Sequence, residues 1–120
     1  MGEIVQVDEV EYEEVEWGLT KEIIAPQTVG SKRVKVKITE YLPGYSHTLH
    51  VHPNQEEVIY VLSGRGVTES RGHRREIGPG SVVFISAGEP HANFNLSDSE
   101  ALKVIVIKAP PEDEEVKMGV

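Results

Sequence analysis

The 120-residue sequence contains no cysteine. That absence removes disulfide stapling, thiolate metal sites and a cysteine nucleophile, so any metal held by the chain must rely on imidazole and oxygen ligands. Long apolar runs are missing too. No window approaches the roughly 20 residues that a membrane-crossing helix needs, and the acidic N-terminus lacks the basic and apolar regions of a signal peptide. The expectation is a soluble, cytoplasmic protein with no membrane partner. Positive charge is also scarce: the formal net charge is -8, which argues against a nucleic-acid partner. Most of the acidity sits at the ends. Seven acids in residues 1–16 and four in the tail, Glu112 to Glu115, leave nine acids against eleven bases in the body. The body is near neutral, so overall acidity says little about a ligand.

Helical periodicity is absent as well, and what stands in its place is a series of short β-rich runs separated by Gly and Pro. Val34 to Ile38 alternates apolar residues with Lys35 and Lys37, as a strand with one wet face does. Val58 to Leu62, Val82 to Ile85 and Val104 to Ile107 are continuous apolar runs and read as strands buried on both faces. Turns are signalled at Pro43-Gly44, Ser63-Gly64-Arg65-Gly66, Arg71-Gly72, Gly78-Pro79-Gly80, Gly88-Glu89-Pro90 and Ser97-Asp98. This pattern predicts an all-β sandwich or small barrel, one domain over residues 1–110 with its core in 31–109. The acidic tail, 111–120, is expected to be disordered. Val5, Val7, Val10, Tyr12, Val15 and Trp17 give the N-terminal segment one apolar face with no obvious place in a closed barrel. An arm of this kind covers its apolar face on a second subunit's sheet, which predicts a homodimer with an interface inside residues 1–30.

Chemistry concentrates on the histidines. His50 and His52 are two apart, so on a strand both point to one face. Glu57 follows the polar stretch Pro53-Asn54-Gln55-Glu56, which could reverse the chain, and His91 follows Gly88-Glu89-Pro90. If these four converge they offer three imidazole nitrogens and one carboxylate. Such a set suits Mn, Fe, Co, Ni, Cu or Zn and is too nitrogen-rich for Mg or Ca. Spacing alone describes two surface or core histidines equally well.

Gly44-x5-His50-x-His52-x4-Glu57-x6-Gly64 resembles the first cupin motif with every fixed position filled. Gly80-x5-Ser86-x-Gly88-x2-His91-x3-Asn95 resembles the second, with Ser86 where proline is usual. The resemblance covers about residues 34–107 and implies a cupin double-stranded β-helix, a jelly-roll-like small barrel with an N-terminal strand arm. Carried over by position, it implies one divalent transition metal ion on His50, His52, Glu57 and His91, with Glu56 as the alternative carboxylate. Two coordination positions would stay open for a small-molecule ligand or substrate. Similarity to germin-type and flavonol-dioxygenase sites implies a metal-dependent, dioxygenase-like oxidoreductase acting on a small anionic organic molecule. The alternatives are a non-catalytic small-molecule or metal-binding module, or a metal-dependent decarboxylase or isomerase. No catalytic acid or base is assigned.

Other residues carry weaker signals. His47 lies three residues before His50, so regular alternation sends it to the opposite face. His73 belongs to a basic hairpin tip. Asn93 and Asn95 share parity with His91, and Asn95 could equally serve a turn. Tyr41, Tyr45, Trp17, Ile59, Val61, Phe84 and Phe94 are pocket walls or plain core.

Overall fold

The computed structural model describes residues 2–112 and 115–118. Gly and Pro turns cut the chain into short strands, which assemble among the described residues into two antiparallel sheets. The larger sheet runs in the order β1 (Glu13–Val15), β2 (Gly18–Ile24), β3 (Lys35–Tyr41), β10 (Leu102–Ala109), β5 (Glu56–Ser63) and β8 (Val82–Ile85). The smaller runs β11 (Val116–Lys117), β4 (Ser46–Val51), β9 (His91–Phe94), β6 (Gly66–Ser70) and β7 (His73–Ile77). Helix is confined, among the described residues, to a turn at Val7–Glu9 and the short α1 at Pro26–Val29. Among the described residues no helix is long and apolar enough to cross a membrane. The all-β expectation therefore holds, in the two-layer form.

Strand alternation sends Ile59 and Val61 of β5 and Leu102, Val104 and Val106 of β10 inward, where they meet Tyr41, Ile77 and Ile85. Each such aliphatic side chain stabilises the fold by about 1.5–3 kcal/mol through removal from water. The central position of β10, paired with β3 on one side and β5 on the other, makes it the spine of the larger sheet.

The apolar runs are buried on one face, not on both. Tyr60, Leu62 and Ile107 reach solvent, and on the edge strand β8 Val82 and Phe84 are 60% and 57% exposed. Their β-branched and aromatic character supports strand formation even where no second layer covers them. Conversely, the lysine face of β3 is not the wet one. Lys35 and, across the ladder, Lys108 are buried on the inner face, with Lys35 Nζ 2.8 Å from Glu22.

The N-terminal arm finds its cover within its own chain. β1 pairs with β2, Lys21 Nζ donates to Val7 O at 2.8 Å and to Val10 O at 3.2 Å, and the Tyr12 hydroxyl donates to Glu40 at 2.5 Å. Lys21 also lies over the Tyr12 ring, 4.3 Å from its centre. The apolar residues of the arm are half-buried in this arrangement. Of the tail, residues 113, 114, 119 and 120 lie outside the described residues, and the rest returns to the smaller sheet. Val116 pairs with Val51 and Lys117 with His50, so the free edge of β4 supplies backbone partners that composition alone does not reveal.

Gly64, which ends β5, has φ +84°, and a Cβ there would lie 2.2 Å from Ala101 O and 2.9 Å from Leu102 Cα. Gly44 has a similar φ, +79°, with open space around it. Gly44→Ala is therefore expected to cost about 1–2 kcal/mol from the backbone alone, and Gly64→Ala about 3 kcal/mol or more. Chemical denaturation of both variants checks the ranking; equal losses would mean that the Gly64 turn relaxes away from Ala101.

Candidate metal centre

β4 delivers His50 to the inner face, and His52, two residues on, follows it; both are buried. β9 lies beside β4 with His91 directly opposite His50. Glu57 comes from the other sheet, on the face of β5 that also carries Ile59 and Val61. The three imidazoles each offer a nitrogen within 4.8 Å of the others. Glu57 Oε1 stands 3.1 Å from His91 Nε2 and 3.8 Å from His52 Nε2. The neighbouring Glu56 faces solvent.

Two backbone carbonyls fix the tautomers. Thr48 O lies 2.6 Å from His50 Nδ1, and Glu89 O lies 3.0 Å from His91 Nδ1. A carbonyl only accepts, so each Nδ1 carries the proton and each Nε2 keeps its lone pair for the interior. His91 Nε2 and Glu57 Oε1 are close enough to pair as charges, yet neither has an aligned hydrogen-bond partner among the described residues. Buried polar atoms left this way cost about 1–3 kcal/mol each. Imidazole nitrogens with one carboxylate are the donor set of a divalent transition metal. The buried His/Glu cluster is thus capable of coordinating one such ion.

The electrostatics agree with this. Burial opposes ionisation of Glu57, but His91, Lys108 and His52 outweigh it and bring its pKa down to about 2. Burial likewise disfavours the His91 cation, and here the Glu57 carboxylate outweighs it, so His91 titrates above its ordinary value. His50 has burial first, then His47 and His91, against its charged form and drops to about 3. Without metal, the proton this cluster holds most readily belongs to His91.

The turn that delivers His91 is tied down by Glu89. Its Oε1 accepts the Ser86 N–H at 3.0 Å, and its other oxygen accepts the Ser70 hydroxyl. A proline at position 86 would have no N–H to give. The single departure from the motif therefore adds a hydrogen bond beside a candidate ligand.

His47 corrects the parity argument. His47 pairs with Asn93 and His50 with His91, so three steps along β4 face two along β9, and a β-bulge turns both histidines inward. The His47 ring is stacked between Trp17, centroids 3.7 Å apart, and His50, 3.6 Å apart. Its Nε2 lies 3.1 Å from Glu115 Oε1. That bond, ahead of the opposing effect of burial, holds the Glu115 carboxyl at about 2.

Glu115 and Lys108 are site neighbours that the sequence does not reveal: Glu115 belongs to an acidic run that reads as solvated, and only the strand register turns Lys108 inward, opposite Glu57. Asn93 is buried, with Nδ2 3.5 Å from the Tyr41 hydroxyl. Asn95 serves a turn, donating to Tyr41 O and Glu100 O and accepting from Ser97 N–H. Tyr41, Ile59 and Val61 are core, Phe94 lies under Arg74, and Tyr45, Phe84 and His73 are exposed away from the cluster.

The model for the Cupin domain matches residues 37–108. An oxalate-binding protein of Thermotoga maritima is 39% identical over 67 residues, which cover 54% of this chain and 55% of that protein. The polyketide cyclase RemF from Streptomyces resistomycificus superposes with a TM-score of 0.82 at 26% identity, over 100% of this chain and 87% of RemF. Oxalate decarboxylase from Bacillus subtilis superposes with a TM-score of 0.78 at 25% identity, over 93% of this chain but 30% of that one. None of these three names is that of an oxygenase.

Two outcomes are expected. His91→Ala and Glu57→Gln should each lower metal affinity at least about tenfold, while Glu56→Gln leaves it unchanged, as read by elemental analysis after dialysis. A stronger effect at Glu56 would transfer the carboxylate role. For pH, a group whose folded pKa is raised contributes stability below its unfolded value, about 6.5 for His, and that contribution is lost as pH rises through the folded value. Metal-free protein should therefore lose stability above about pH 6.5, and His91→Gln should lose that dependence. Metal affinity should climb over the same window, because the ion displaces the His91 proton. Thermal melts across this range with and without Zn²⁺ check it; a rise in metal-free stability traceable to His91 would reverse the sign.

Proposed function

The chain belongs to the cupin family, and from that premise we propose that it binds a small carboxylic acid at a divalent ion held by His50, His52, Glu57 and His91. The observation that carries this reading is the buried cluster of three imidazoles and a single carboxylate. With one carboxylate among its ligands, a divalent ion keeps net positive charge, which favours an anionic oxygen ligand. Lys108, buried directly opposite Glu57 in the β10 ladder, adds to that field. The likeness to an oxalate-binding protein supports the same ligand class. When bound, the ion would supply a Lewis-acid position at which a carboxylate can be held. The oxygenase-like expectation gives way to this reading, which the names of the relatives support better.

A decarboxylase-type enzyme is the second reading, and Tyr41 is the residue that favours it. Its hydroxyl lies inside the barrel, where it accepts from Asn93 Nδ2, and burial, then the nearby Glu57 carboxylate, keeps it neutral. A neutral hydroxyl of this kind can hydrogen-bond a bound carboxylate and orient it for reaction.

Protein purified without added metal should contain a transition metal by elemental analysis. Calorimetric titration of the metal-loaded protein should give oxalate at least about tenfold tighter binding than acetate, since oxalate carries the larger charge and can chelate. Oxalate binding that survives complete metal removal would overturn the proposal. Release of formate and CO₂ from oxalate would establish the second reading, and dioxygen uptake with catechols would restore the oxygenase one.

A further inference from the structure

His47 is buried with both faces of its ring covered by Trp17 and His50, so only its edge is available for bonding. At that edge stands the Glu115 carboxylate, 68 residues further along the chain. Ligand-type atoms of His47, His50 and Glu115 lie within 4.8 Å of one another. This grouping is not a second metal position. His50 gives its Nδ1 proton to Thr48 O, and its one remaining lone pair faces the first cluster.

What the geometry presents instead is a carboxylate held by an imidazole immediately beside the metal cluster. The chain leading to Glu115 is held by Gln55 Nε2, which donates to Pro110 O at 2.7 Å and Glu112 O at 3.2 Å, but beyond Glu115 the tether is slight. β11 has two residues, Met118 N–H reaches Leu49 O at 3.1 Å, and the Lys117–Glu16 ion pair is largely exposed. Exposed pairs of this kind contribute little.

We propose that the edge of His47 is the docking position for the outer carboxylate of a short dicarboxylic acid whose inner carboxylate lies at the metal, and that Glu115 fills this position when the ligand is absent. The inference rests on the reading of the cluster as a metal centre. An N–H at the His47 edge can donate to either carboxylate, so the two compete for one position. Apparent ligand affinity is then the intrinsic affinity multiplied by the fraction of molecules with Glu115 displaced.

The test titrates Mn²⁺-loaded, full-length protein with succinate and with acetate, metal content being measured before and after. Glu115→Gln should tighten succinate about fivefold and leave acetate unchanged. His47→Phe keeps a flat ring between Trp17 and His50 but has no N–H; it should weaken succinate about tenfold and spare acetate. Unchanged succinate affinity in Glu115→Gln, which keeps the size of the side chain and removes its charge, overturns the proposal. So does an equal loss for both ligands in His47→Phe, which would make His47 a prop for His50. Failure of the unaltered protein to bind Mn²⁺ is a distinct result that defeats the metal reading itself, and this inference with it.

Discussion

Taking a carboxylate out of water costs several kcal/mol unless positive charge or hydrogen-bond donors meet it inside. Glu57 is such a carboxylate, and much of the barrel interior answers to it. His91 reaches it from β9, His52 from the end of β4, and Lys108 stands directly opposite it in the β10 ladder. Each partner lies on a different strand. The site exists only when both sheets have closed on one another, so folding and the assembly of the cluster are one event.

The division of labour between the sheets follows from this. The larger sheet contributes the acid and most of the apolar core; the smaller contributes the imidazoles. Where they meet, the interior changes from Ile59, Val61 and Leu102 to a polar cluster within a few residues of strand. A low-dielectric wall on one side strengthens every charge interaction on the other, which is why the shifts at Glu57 and His50 are large. The carbonyls of Thr48 and Glu89 add direction: they hold two rings in the tautomer that leaves Nε2 free.

Much of this was legible in the sequence, and the reason is local. Two residues of spacing place His50 and His52 on one strand face, and the turn residues around them mark where strands end. Features that depend on pairing were not legible. The inward turn of His47 needs the extra β4 residue that only the register with β9 exposes. Lys35 read as solvated because alternation alone does not say which face of β3 meets water. Val82 and Phe84 read as doubly buried because apolar character does not say how many layers cover a sheet. Glu115 sits in an acidic run that composition assigns to solvent, yet the vacant edge of β4 draws it back.

Ser86 and Glu89 are tied by the hydrogen bond between them, and that tie has a consequence for inheritance. A serine-to-proline change at position 86 removes the N–H and leaves the Glu89 carboxylate with the Ser70 hydroxyl and a distant Arg71. Selection for an acid at position 89 then relaxes, while a lineage that keeps the N–H has reason to keep the acid. The two positions should accordingly change together among descendants of this chain, with the proline form favouring a turn stiffened by its ring and the serine form one stiffened by charge.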